Sequence, residues 1–121
     1  MKSRILWILA ILILFVGISS HPVQAQTAVV RAIFFFSPTC PHCHQVMEQD
    51  LPPLVEKYGA QLDIVGIDVS NPTGMDLYQA MATQFNLPDD RIGVPTLVVG
   101  ELVLVGAKEI PEKFPQVIAF V

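Results

Sequence analysis

Apolar positions along this chain fall into two patterns, continuous runs and runs spaced three or four apart. The first continuous run, Ile5 to Ile18, is uncharged and follows Lys2 and Arg4. The polar stretch SSHPVQAQ comes next, with Val23 and Ala25 at the −3 and −1 positions of a cleavage site. That order predicts a secretory signal peptide over residues 1–25. The run falls short of the roughly 20 residues of a membrane span, so cleavage after Ala25 is favoured over an uncleaved anchor. No cysteine sits near the site to take a lipid.

Ala28 to Phe36, nearly all apolar and rich in β-branched and aromatic residues, reads as a strand buried on both faces. Ser37-Pro38-Thr39 ends it. Helical spacing of Val46, Met47, Leu51, Leu54, Val55 and Tyr58 predicts a helix from Cys40 that Pro52-Pro53 must kink or restart, with Gly59 as its stop. Gln61 to Val69 is a second strand, closed by a turn over Ser70 to Gly74. Met75 to Asn86 is a second helix, with Leu77, Met81 and Phe85 on one face. After a loop over Leu87 to Gly93, VPTLVVGELVLVGA predicts two strands around Gly100-Glu101. Glu109 to Val121 is a last helix, with Pro111 near its first turn, Pro115 bending or delaying it, and Ile110, Phe114 and Ile118 on its apolar face. The order β-α-β-α-β-β-α makes the first two strands parallel and the last two an antiparallel hairpin. This is an α/β fold with a mixed central sheet flanked by helices.

With 121 residues there is room for one domain, over 26–121. That domain has five basic against eleven acidic side chains, a formal charge of −6. Lacking a basic stripe, it is a poor partner for nucleic acid or for an anionic membrane surface. It has two cysteines, Cys40 and Cys43. A disulfide between them would close a tiny loop and constrain the unfolded chain little, which points to a chemical role for the pair over a structural one.

The cluster Cys40-Pro41-His42-Cys43-His44 admits three chemistries. It follows a buried strand and opens a helix, where unpartnered N–H groups and the helix dipole favour an anion. A thiolate at Cys40 should therefore form below the roughly 8.5 of a free thiol, while Cys43, one turn further in, is shielded. Cys40 is then the sulfur that exchanges with a partner, and Cys43 resolves the mixed disulfide. The letters also satisfy the haem-attachment pattern C-x-x-C-H, with Met47, Met75 or Met81 as a second axial ligand, but haem there would open one face of the α/β core. For metal, Cys40, Cys43 and His44 lack a second ligand pair, since His21 leaves with the signal peptide, so a closed zinc site is short of ligands. Two thiolates and a histidine can still hold Cu(I).

A strand, then C-P-H-C opening a helix, then Val94-Pro95-Thr96 before a hairpin, resembles the thioredoxin superfamily over Val29 to Phe120. The resemblance implies that Pro95 is cis and faces the disulfide, and that the backbone of Val94 pairs with an extended substrate. It also implies that Pro95 hinders metal capture by the two sulfurs. Pro41-His42 is similar to the dipeptide of DsbA-like oxidases, in which such a histidine favours the thiolate and makes the disulfide the stronger oxidant. His44 is expected to be exposed and non-catalytic.

The chain departs from that family at several points. Phe34 stands where a buried acid six residues before the first cysteine often assists proton transfer, and no carboxylate replaces it; Asp68 reads as a turn-flanking surface residue. Ser37-Pro38-Thr39 replaces a tryptophan-containing stretch, and no DsbA-type helical insertion is present. The resemblance implies an exported thiol–disulfide oxidoreductase that needs no cofactor and favours oxidation, with Cys40, Cys43, His42 and Pro95 catalytic and with Phe36, Pro38, Pro41 and Val94 forming a shallow apolar groove. Its partners would be cysteine-containing exported proteins and a membrane or soluble redox partner, such as one of vitamin K epoxide reductase type. Its compartment would be the periplasm, the thylakoid lumen or the extracellular side of a membrane. The apolar ending VIAFV leaves open a longer product.

Overall fold

Strand β1, Val30–Phe36, forms within the apolar run that predicts it and stands at the centre of the sheet. The structure, a computed structural model, describes residues 27–120 together with Met1 and Arg4. Apart from those two positions, the signal peptide expected over 1–25 and its His21 lie outside the described residues. After β1 come helix α1, Pro41–Gln45, a π-helical turn, Val46–Asp50, and helix α2, Leu51–Tyr58. Strand β2 is Leu62–Asp68 and helix α3 is Pro72–Gln84. A short 3-10 turn, Asp89–Arg91, precedes strand β3, Thr96–Val99, and strand β4, Leu102–Val105. Helix α4, Gly106–Ala119, is last. The strand order is β2-β1-β3-β4, with β1 parallel to β2 and antiparallel to β3, and with β3 and β4 antiparallel.

Two clusters close the two faces of the sheet unequally. On one face Val30, Ala32 and Phe34 of β1 pack with Val46, Leu51, Ile110, Phe114 and Ile118 from both helical arms. On the other, Phe35 and Val98 meet Tyr78 and Met81 of α3. The run of β1 predicts burial on both faces, but among the described residues α3 alone covers the second. Ile33 therefore stays 39% and Val65 52% exposed.

Val46 and Leu51 are both buried although five residues apart. At about 100° per residue, a regular α-helix would point them some 140° apart. The π turn, in which the Leu51 N–H donates to the Val46 carbonyl, turns both inward. It also widens the backbone ahead of Pro52 and Pro53, whose rings otherwise press on the carbonyl four residues back. The restart expected at this proline pair is thus a wide turn just before it.

Two helices begin earlier than the periodicity predicts. The side chain of Asn71 accepts a hydrogen bond from the Gly74 N–H at 2.8 Å, and Pro72 sits at the first helical position, where no donor is needed. This capping draws Pro72 to Gly74, expected in a turn, into α3. Its buried face is Gly74, Tyr78 and Met81, which leaves Leu77 49% exposed instead of inside. Helix α4 starts at Gly106 and runs through both Pro111 and Pro115. Each interior proline costs about 3 kcal/mol. Burial of Ile110, Phe114 and Ile118, at about 1.5–3 kcal/mol each, is of the same size as the cost of the pair.

Gly74 lies against the end of β2, and a Cβ there would run into the Asp68 carbonyl. Because that oxygen is backbone, the clash has no cheap relief. Gly74→Ala should lower stability by about 1–3 kcal/mol, seen as a lower urea midpoint at unchanged slope. A midpoint equal to that of the parent chain would refute this packing.

Candidate active site

The turn after β1 presents the cysteines. The Cys40 N–H donates to the Ser37 carbonyl at 3.1 Å, and Cys40 is the extended N-cap of α1, with Pro41 exposed at the first helical position. Its Sγ accepts the Cys43 N–H at 3.1 Å. Cys43, one turn in, is fully buried and shares the inward face with Val46. The two residues form a disulfide, with Cα atoms 5.2 Å apart. One sulfur is thus partly accessible at a helix cap and the other is enclosed.

The loop before β3 approaches the same sulfur. The Val94 carbonyl oxygen lies 3.8 Å from Cys40 Sγ. A disulfide sulfur has no proton to give, so this is a contact in the oxidised form and a possible donor–acceptor pair once a thiol is present. The Val94–Pro95 peptide is cis, as the resemblance implies. Pro95 is fully buried, and its carbonyl accepts the Gly106 N–H at 2.9 Å. A cavity of about 760 Å³ opens beside Val94 and Pro95, lined also by His42 and Gln45 on one side and by Gly106 and Ala107 on the other; neither cysteine lines it.

Of the residues expected in the groove, Val94 lines this cavity together with His42 and Pro95. Phe36 instead stacks on Phe34, ring centroids 6.1 Å apart, and packs against the helical core. Pro38 and Pro41 are exposed on the turn and outside the cavity. Phe34 is buried at the position of the family's acid. Asp68 does flank a turn, accepting the Ser70 N–H at 2.8 Å. Asp50 has one buried carboxylate oxygen without a partner among the described residues.

His44 is exposed, as expected, yet it braces the turn: its Nε2 is 2.7 Å from the Pro38 carbonyl oxygen and its Nδ1 is 3.3 Å from a Glu48 carboxylate oxygen. With both ring nitrogens engaged, His44 offers neither the third Cu(I) ligand that the copper reading needs nor the iron ligand that the haem reading needs. Sequence reasoning also missed the polar brace behind Pro95. Glu109 accepts hydrogen bonds from the Val105 N–H (2.8 Å), Arg91 (2.9 Å) and Lys113 (2.7 Å), and Arg91 also donates to the Val103 carbonyl at 2.9 Å. Burial alone would push the Glu109 carboxyl up, but the bonds from Lys113 and Val105, with the charges of Arg91 and Lys113, hold it below the usual range. The Glu109–Lys113 pair is legible as i,i+4; Arg91, far off in the chain, is not.

The Pro38 carbonyl, and then the Glu48 carboxylate, raise the His44 pKa above its usual 6.5. Any stability this clasp contributes is full below about pH 6.5 and is lost as pH rises through the raised folded value. An NMR titration should place the His44 midpoint above 6.5, and Glu48→Gln should lower it. A wild-type midpoint at or below 6.5 would remove the clasp.

No family model and no curated protein matches the chain. Solved structures do match. Mitochondrial thioredoxin 3 from Saccharomyces cerevisiae, in its oxidised form, aligns at a TM-score of 0.54 and 20% identity, over 78% of this chain and 80% of that one. The germline-specific thioredoxin Deadhead of Drosophila melanogaster aligns at 0.53 and 19%, over 77% of this chain and 81% of its own. Chloroplastic thioredoxin z aligns at 0.50 and 22%, over 75% and 80%. The mixed four-stranded sheet, its flanking helices and these alignments agree: the chain has the thioredoxin-like fold.

Proposed function

We propose that this chain is an exported thiol–disulfide oxidoreductase that donates the Cys40–Cys43 disulfide to protein thiols. One observation carries the reading: the disulfide is asymmetric, with Cys40 at the helix cap beside Val94 and Cys43 buried behind it. A shared fold permits many functions, so the weight rests on this geometry.

In the forward direction a substrate thiolate attacks Cys40 Sγ. The S–S bond breaks, its electron pair leaves on Cys43, and that sulfur then takes a proton from solvent. A second substrate thiolate attacks the substrate sulfur of the mixed disulfide and expels Cys40 as the thiolate. Substrate gains one disulfide, and the two electrons rest on the cysteine pair. The Cys43 N–H aimed at Cys40 Sγ favours charge on that sulfur. His42, exposed two residues after Cys40, matches the histidine that favours the thiolate in the DsbA-like dipeptide. Both favour the reduced pair, and stabilising that form makes the disulfide the stronger oxidant. Each turnover calls for reoxidation by a membrane or soluble partner, such as one of vitamin K epoxide reductase type. An oxidising compartment suits export of such a disulfide donor.

Cys40→Ser should abolish exchange, and Cys43→Ser should accumulate mixed disulfides with substrate. Retained activity in the first, or no trapped species in the second, would overturn the assigned roles. The reduction potential, from thiol labelling across glutathione ratios, tests direction. A value toward about −120 mV supports a donor, whereas one near about −270 mV makes the chain a reductase.

A further inference from the structure

Tyr78 lies on α3, away from the disulfide and outside every motif, yet it reaches the loop that faces Cys40. It is buried, and its ring meets Phe35 of β1 edge-on, centroids 5.3 Å apart. The hydroxyl does two things at once. It donates to the Gly93 carbonyl at 3.0 Å and accepts the Gly93 N–H at 2.7 Å. The Thr96 hydroxyl donates to the same carbonyl.

Those two backbone groups belong to different peptide planes. The Gly93 N–H lies in the Ile92–Gly93 plane, and the Gly93 carbonyl lies in the Gly93–Val94 plane. Because a peptide unit is planar, fixing the Gly93 carbonyl also fixes the Val94 N–H, which points the opposite way within that plane. Glycine is the residue most free to rotate between such planes, so this loop has its largest freedom where the hydroxyl grips it. Next along the chain is the Val94 carbonyl, 3.8 Å from Cys40 Sγ.

We infer that Tyr78 is a positioning residue: by holding both peptide planes at Gly93 it aims the Val94 backbone at an extended peptide whose cysteine attacks Cys40. The inference rests on the exchange reading above and names which substrates need the grip. A peptide thiol gains by pairing its backbone with Val94. A small dithiol reaches Cys40 without pairing and gains nothing from the held loop. Tyr78 thus discriminates between classes of thiol.

The test compares two reductants of the oxidised protein, a two-cysteine extended peptide and dithiothreitol, in the parent chain and in Tyr78→Phe. That change keeps the ring on Phe35 and removes both hydrogen bonds. With the peptide, kcat/KM should fall roughly tenfold, mostly through KM, in line with the loss of buried hydrogen bonds. The dithiothreitol rate should change less than about twofold, and the Gly93 amide should exchange faster with solvent. Equal losses with both reagents, or no loss with either, would overturn the role of Tyr78 while leaving exchange intact. If neither reagent opens the disulfide in the parent chain, the exchange reading itself fails and the role falls with it. Should Tyr78→Phe not fold, Thr96→Val removes a separate bond to the same carbonyl and must show the same selective loss.

Discussion

Burial of Cys43 and Val46 on one face of the first helical arm is the constraint from which the site follows. Both are fully enclosed, Val46 within the core against the sheet, so the first turn of α1 cannot rotate without exposing them. With Cys43 fixed, Cys40 falls at the N-cap, where its sulfur meets the Cys43 N–H and the edge of solvent. The difference between the two sulfurs therefore comes from packing that any well-filled core of this shape would impose. The chemistry inherits it.

The opposing side of the site is held differently. The loop from Pro88 to Pro95 contributes few large apolar side chains, and its order comes from hydrogen bonds to the backbone and side chains of other elements. Tyr78 grips Gly93, Arg91 reaches Val103 and Glu109, and the Gly106 N–H closes on the Pro95 carbonyl. Apolar packing fixes the sulfurs and polar bracing fixes what faces them. The braces act at a few atoms each, which suits a surface that must stay open to a partner.

Much of the fold was legible because the strands are short apolar runs and the helices carry their inward residues at regular intervals. The cysteine pair was legible as a chemical feature because its small loop explains so little stability. Boundaries were harder. Asn71 caps α3 and Pro72 opens it three residues before the start expected at Met75, and α4 survives two prolines because Ile110, Phe114 and Ile118 are buried. On the inward face of α3, Met81 and Phe85 lie as their spacing predicts, but Tyr78 takes the place expected of Leu77, since a tyrosine with a buried hydroxyl scores poorly as core when its partner, the Gly93 backbone, is 15 positions away. Phe36 was expected in the groove. In the fold it turns to the other side, onto Phe34. Arg91 and Glu109 meet only through the tertiary fold, so no local pattern joins them.

The wide turn at Val46–Asp50 gives the long helical arm two independent phases. Upstream of it, the angular setting is dictated by where the sulfurs must lie; downstream, by how Leu51 and Leu54 fill the space beneath the sheet. A uniform helix would have to compromise between the two demands over its whole length. Here the turn absorbs the mismatch, so the rear of the arm can be repacked through sequence change without carrying the disulfide away from its partner loop.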